Sequence, residues 1–176
     1  MYTLELLSAD DLPSYKELID EAFGGSNPLE YYERYCNCDS YRIYVVKEQG
    51  QIVGSVTQVE IPLFTFSFQP CLELFNVAVR SSHRQKGIGA FLLREVIERA
   101  KKEGFHSISL TCLASAKPAH ALYESMGFQK ADSYKYALYF YPFLGAGPGY
   151  RRYLKEMCGH ILPTQTQTTI CNSVES

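Results

Sequence analysis

Seven consecutive residues, Arg84-Gln85-Lys86-Gly87-Ile88-Gly89-Ala90, lie between an apolar strand-like run, Leu72 to Val79, and an amphipathic helix-like run, Phe91 to Lys102. A chain that leaves a strand and enters a helix through glycines brings its backbone close to a ligand and aims unpaired N–H groups at it. The helix N-terminus adds partial positive charge, so the chemistry on offer is capture of an anion such as a phosphate. A plain tight strand-to-helix connection has the same local sequence, and the turn alone does not separate the two. Two other phosphate loops fit poorly. Gly87 is followed by Ile88-Gly89 where a Walker loop needs Lys-Ser/Thr, and Leu92 stands where a dinucleotide fingerprint needs a third glycine. Upstream, Glu73 is the acid within the apolar run. Strict alternation sets it on one face with Phe75, Val77 and Val79, an apolar setting that raises a carboxylate's pKa toward the range of a general base. The competing reading is an acid facing solvent or paired with a lysine or arginine.

These residues need a scaffold, and the chain is long enough for one: 176 residues, 46% hydrophobic and 20% charged, suffice for a single domain with a substantial core. A net charge of −2 and a pI near 6.1 give no electrostatic case for a nucleic-acid surface. No basic-then-apolar leader opens the sequence and no apolar run approaches a membrane span, so the expectation is a cytoplasmic protein with no membrane partner. The six cysteines match no zinc framework and are expected to be reduced, with Cys71 and Cys112 acting as small buried hydrophobes. No spacing among His83, His106, His120 and His160 indicates a metal; each suits a surface or capping role.

The element order predicted from pattern begins with a strand over Tyr2 to Leu7, a helix capped near Ser8 to Asp11 and running to about Phe23, and a short helix from Leu29 to Tyr35. Tyr41 to Lys47 and Gln51 to Ile61 read as a hairpin joined by Glu48-Gln49-Gly50. Leu63 to Pro70 is an aromatic loop or short edge strand. Cys71 to Val79, apolar on both faces, suits a central strand. The long helix through Phe91 to Lys102 follows and ends near Gly104. Ser107 to Leu113 is a strand, Pro118 to Ser125 a short helix, and Tyr134 to Tyr141 a last aromatic strand. Residues 1–142 therefore form the domain, and 143–176 a C-terminal extension with a short helix and a polar tail.

The order strand Leu72-Glu73-Leu74-Phe75-Asn76-Val77-Ala78-Val79, then Arg84-x-x-Gly87-x-Gly89-Ala90, helix, strand, then Ala121-Leu122-Tyr123-Glu124-Ser125-Met126-Gly127-Phe128 resembles the GCN5-related N-acetyltransferase (GNAT) family. The resemblance covers element order from Tyr2 to Phe140 and is strongest from Leu72 to Phe128. It implies an α/β fold (mixed α+β): a central, mostly antiparallel sheet of six to seven strands, flanked by helices and splayed at the central parallel strands. It implies acetyl-CoA as cofactor, with coenzyme A as product. Its pyrophosphate would be held by the backbone of Gln85, Lys86, Gly87, Ile88, Gly89 and Ala90 with Arg84, and its pantetheine arm by the backbone of Val77 and Val79.

The implied activity is that of an N-acetyltransferase, moving the acetyl group from the thioester to a primary amine by direct attack in a ternary complex. The resemblance gives Glu73 the role of base, with bulk water as the alternative, and Tyr123 the role of general acid toward the departing thiolate. A free alkylamine with a pKa of about 10.4 must lose a proton first, and a phenol near 10 suits protonation of sulfur. The acceptor is a small-molecule or protein amine, with pocket residues expected from Gly24 to Tyr35 and Leu63 to Pro70; the resemblance also implies a homodimer. One departure stands out, since Ala116 occupies the place of a frequent Asn. That leaves a second reading, a non-catalytic acyl-CoA-binding sensor or partner module.

Overall fold

Helix α1, Leu12–Phe23, starts where Ser8 and Asp11 close a capping box over a single 3₁₀ turn, carries a proline in its first turn, and stops at Gly24, whose φ is 69°. Its apolar spacing turns Leu12, Tyr15, Leu18 and Ile19 inward. A preceding short strand, β1 (Leu4–Leu6), and a following helix, α2 (Leu29–Tyr35), complete the N-terminal part. The computed structural model describes residues 2–36, 38–63 and 68–132. The expected strand over Tyr134 to Tyr141, the extension 143–176 and part of the aromatic segment Leu63 to Pro70 fall outside the described residues.

The hairpin forms as β2 (Tyr41–Glu48) and β3 (Gln51–Pro62), with Gln49 and Gly50 at φ 51° and 78° in the two-residue turn. Positive φ at both central positions matches the turn's twist to that of the strands. β4 (Pro70–Val79) lies antiparallel to β3 and parallel to β5 (Ser107–Leu110), giving a mixed sheet of five strands in the order β1-β2-β3-β4-β5. Helix α3 (Ile88–Glu103) is the crossover between the parallel strands, and α4 (Lys117–Ser125) follows β5. Among the described residues no helix is long and apolar enough to cross a membrane.

Each face of the sheet buries its own core. On one, Val56, Leu72 and Leu74 meet Ile88, Leu92, Leu93 and Val96 of α3; on the other, Ile43, Val45, Ile52 and Ala78 meet Leu12, Tyr15, Leu18 and Ile19 of α1. Gly54 in β3 is what lets α3 lie so close, for a Cβ there would sit 2.7 Å from Ile88 Cγ2 and 3.2 Å from Leu92 Cδ1.

One expectation about β4 is overturned. Ser55 pairs with Ala78 and Thr57 with Phe75, so β4 spends one residue more than β3 between these pairs, and Asn76 sits there at φ 48°. This is a β-bulge, and it reverses the alternation. Val77 and Val79 pack on the α3 side with Leu72 and Leu74, while Ala78 joins the α1 core. Glu73 therefore does not share a face with Val77 and Val79. Asn is among the few side-chain-bearing residues that tolerate this backbone region, which is why the bulge can fall here.

Candidate active site

β4 and β5 stay in register only from Cys71↔Ser107 to Leu74↔Leu110, after which β4 continues alone to Val79. The predicted strand Ser107 to Leu113 thus stops early: Thr111, Cys112 and Leu113 veer away and line one wall of a cleft of about 1050 Å³, with Phe75, Asn76 and Val77 on the opposite wall. The volume is that of a small-molecule site. Arg80 donates its backbone N–H to Val53 O of β3 at 2.9 Å, so alternation turns the peptide groups of Val79 and Val77 the other way, into the gap. Arg84 Nε meets the Val79 carbonyl there at 3.2 Å.

The turn into α3 is built from backbone. Gln85 has φ 61°, and Gly87, the N-cap, has φ 81° with open space where its Cβ would be. No side chain caps this end of α3 and no acid stands in its first turn. The first amides, at Ile88, Gly89 and Ala90, are thus left to an external acceptor, with Arg84 and Lys86 exposed beside them. Gly89 serves a different purpose: a Cβ there would meet Leu122 Cδ2 of α4 at 3.0 Å and Val79 Cγ2 at 3.8 Å. Its lack of a side chain seats α4 against α3.

The loop entering this turn is clamped by Arg80, which pattern reading passed over. Its Nε donates to Ile52 O at 2.8 Å, its Nη2 to Ser14 O at 3.4 Å, and its guanidinium pairs with Glu17 at 3.2 Å and Glu21 at 3.5 Å. Glu21 also accepts the Ser81 N–H at 2.6 Å, and that bond, with Ser81 Oγ and Arg80, holds its carboxyl below the usual range. The anion-facing turn is tied in this way to α1 and β3.

Tyr123 reaches the cleft from α4, with its ring against Phe128 at 6.0 Å. Burial, reinforced by nearby Cys112, pushes its phenol up to about 12. A residue held protonated at all ordinary pH values can donate a proton but not act as a base. Cys112, expected inside a strand, instead borders the cleft; burial pushes its thiol up as well. Ala116 lines the cleft too, and His120 Nε2 donates to the Leu113 carbonyl at 2.8 Å, holding the turn before α4. Glu73 stands apart: it does not line the cleft, and its carboxylate accepts a hydrogen bond from the Ser109 hydroxyl on β5. It lies on the same strand face as Phe75, which does line the cleft.

On the α1 side the cleft is walled by Tyr15, Ile19, Phe23, Tyr31, Tyr32 and Tyr41. Thr57 Oγ1 gathers the polar atoms beneath them, receiving Asn76 Nδ2 at 3.5 Å and lying 3.5 Å from the Tyr15 hydroxyl. Burial pushes the phenols of Tyr15, Tyr32 and Tyr41 up. Of the two segments that the sequence assigns to the pocket, Gly24 to Tyr35 contributes Asn27, Tyr31 and Tyr32, whereas none of the described residues of Leu63 to Pro70 lines it; Asn76, Tyr15 and Tyr41 carry no local pattern beyond an Asn inside an apolar strand.

Comparison with known proteins fits this geometry. Residues 12–128 match the family model described as "Acetyltransferase (GNAT) family". The chain is 32% identical to N-acetyltransferase family 8 member 3 of Rattus norvegicus over 111 residues, 62% of this chain and 46% of that protein. It is 37% identical to N-acetyltransferase 8 of Rattus norvegicus over 87 residues, 49% of this chain and 39% of that protein. The matched segment spans less than half the length of these curated relatives. Among solved structures, a transcriptional regulator from Bacillus halodurans C-125 superposes with a TM-score of 0.71 at 24% identity, covering 80% of this chain and 100% of that one.

Proposed function

The chain belongs to the GNAT acetyltransferase family, and from that premise we propose that it is an N-acetyltransferase that takes its acetyl group from acetyl-CoA and gives it to a primary amine. The observation that carries this reading is the splay: one cleft exposes the free edge of β4, lies beside the uncapped start of α3, and is lined by Tyr123.

The residues present fit the coenzyme. The N–H groups of Gly87 to Ala90 and the cations of Arg84 and Lys86 would hold the diphosphate, with Gln85 shaping the turn by its positive φ. The peptide groups of Val77 and Val79 would pair with the amides of the pantetheine arm as an added strand does. When bound, acetyl-CoA supplies an acyl carbon activated as a thioester.

The acceptor amine enters from the α1 side and must arrive without its extra proton. Glu73, on the acceptor face of β4, takes that proton through solvent at the cleft edge. The nitrogen lone pair then forms the new C–N bond, the C–S bond breaks with its electrons passing to sulfur, Tyr123 gives sulfur a proton, and the new amide nitrogen releases its surplus proton to water. Glu73 and Tyr123 recover their starting states by exchange with water. Burial pushes the Cys112 thiol up, which disfavours the thiolate that a covalent acyl carrier needs. The reading adopted is direct transfer with both substrates present.

Ala116 favours a second reading, in which a cleft lacking an amide at this position binds the coenzyme without turnover. Mass-spectrometric detection of acetylated products from acetyl-CoA and a mixed amine panel separates the two. Product supports the enzyme; bound coenzyme without product from any acceptor supports the sensor.

A further inference from the structure

The turn into α3 is strained, and a short tether holds it. Gln85 keeps φ at 61° although it carries a side chain, a conformation that persists only where the surroundings impose it. Residues 80–84 join it to the end of β4 and wind into a single 3₁₀ turn, Ser81–His83, closed by the His83 N–H on Arg80 O at 2.9 Å. The tether is fixed at both ends. Near Gln85, His83 Nε2 meets Glu48 of the hairpin at 2.9 Å, while its Nδ1 lies 2.8 Å from the Ser82 hydroxyl. At the β4 end stand Arg80 and Ser81.

Arg80 is placed to act on the turn without touching a ligand. Its side chain is 11% exposed, and all three guanidinium nitrogens face protein acceptors: Ile52 O, Ser14 O, Glu17 and Glu21. Arg84 and Lys86, by contrast, are exposed beside the helix start. The partners on α1 fall at i, i+3 and i+7, which sets Ser14, Glu17 and Glu21 on one stripe of the helix. The other side of α1 is buried through Leu12, Tyr15, Leu18 and Ile19. Ser14 Oγ also receives the Ile52 N–H at 3.1 Å, so helix, hairpin and tether meet around one guanidinium. Glu21 takes both the cation and the Ser81 N–H, the latter at 2.6 Å, and so fixes the backbone one residue past Arg80 as well as its side chain.

Building on the acetyltransferase reading, we propose that Arg80 and Glu21 are positioning residues for the coenzyme: they fix the path of residues 80–84, hold Gln85 in its strained conformation and keep the amides of Gly87 to Ala90 aimed at the diphosphate before it arrives. An anion that meets donors already in place binds without the cost of ordering them. The rigidity of the α1 core is carried in this way to a turn that has few contacts of its own.

The test measures the Kd of coenzyme A by calorimetry for the wild type, Arg80→Met, Glu21→Ala and Glu21→Gln, below the unfolding midpoint of each protein. Pantetheine, which lacks the diphosphate, is measured alongside by ligand-observed NMR. Arg80→Met and Glu21→Ala should each raise the coenzyme A Kd about tenfold, the worth of a charge-assisted hydrogen bond, with pantetheine affinity unchanged. Glu21→Gln keeps an oxygen for the Ser81 N–H and should stay within about threefold of the wild type. If Arg80→Met does not fold, Glu21→Ala decides, since its side chain is one-third exposed and Arg80 retains Glu17. Wild-type coenzyme affinity in the folded variants overturns the proposal, because the clamp would then serve stability alone. An equal loss for coenzyme A and pantetheine overturns it too, as a general loosening of the cleft, and so does a Glu21→Gln variant as weak as Glu21→Ala. A wild-type protein that binds no coenzyme A removes the acetyltransferase reading itself, and this role with it.

Discussion

The two ends of the cleft are built by different means. The α3 end is made of backbone: positive φ at Gln85 and Gly87, a helix start with no cap, and a strand edge left open where β5 departs. The α1 end is made of side chains drawn from α1, α2, β2 and β4, mostly aromatic and uncharged. Backbone geometry can serve any sequence that reproduces the turn, whereas a side-chain wall is specific to its residues. The first end therefore suits a ligand shared across a family, and the second suits whatever distinguishes this chain.

Disrupting the backbone end at its foundation should have the largest effect. Gly54→Val pushes a branched side chain into Ile88 and Leu92, at the point where α3 rests on β3. A loss of about 3 kcal/mol in stability is expected, as overpacking costs. Coenzyme affinity should fall with it. Thermal unfolding and calorimetry would check both, and wild-type values would mean that α3 shifts freely and the contact does not fix the turn.

Tyr123→Phe comes next, with kcat lower by about a hundredfold and coenzyme affinity unchanged, the signature of a lost general acid. Its pKa also sets a pH window. An ordinary phenol titrates at 10.0 and this one at about 12, so below pH 10 its contribution to stability is complete. As pH rises from 10 toward 12 the unfolded chain loses the proton first, and stability falls. Tyr123→Phe should flatten part of that fall, with Tyr15, raised in the same direction, supplying more of it. Unfolding midpoints for both proteins across this range decide the matter, and identical slopes would argue against a buried phenol.

Glu73→Gln keeps a partner for Ser109 but cannot take a proton. A drop in kcat of about tenfold is expected, partly restored at higher pH where more of the amine is already neutral. A full rate at neutral pH would hand the proton to water alone. Lys86→Ala should do least: an exposed charge near a phosphate is worth little, so the coenzyme Kd should rise about threefold at low salt and the difference should shrink as salt is added. A loss that salt does not touch would point to altered turn geometry instead of charge.

The elements were legible because each carries a local signal. Hydrophobic spacing marked α1 and α3, Gln49-Gly50 marked the hairpin, and the glycines before α3 marked the uncapped helix start. What escaped notice depended on partners distant in sequence. Asn76 looks like an ordinary strand residue until β3 is laid beside it and one residue proves surplus. Gly54 needs α3 above it, Arg80 needs Ser14 and Ile52, and Cys112 belongs to a strand only if β5 stays in register past Leu110.

What the sequence by itself determined was the order of elements and the residues of the turn, because those follow from periodicity and backbone freedom within a few neighbouring positions. The tertiary structure alone decided which face each β4 side chain meets, how far β5 follows β4, and which tyrosines converge on one cavity. A bulge of one residue reverses every side chain beyond it, and a splay exists only between strands separated by a whole helix; neither leaves a local trace in the chain.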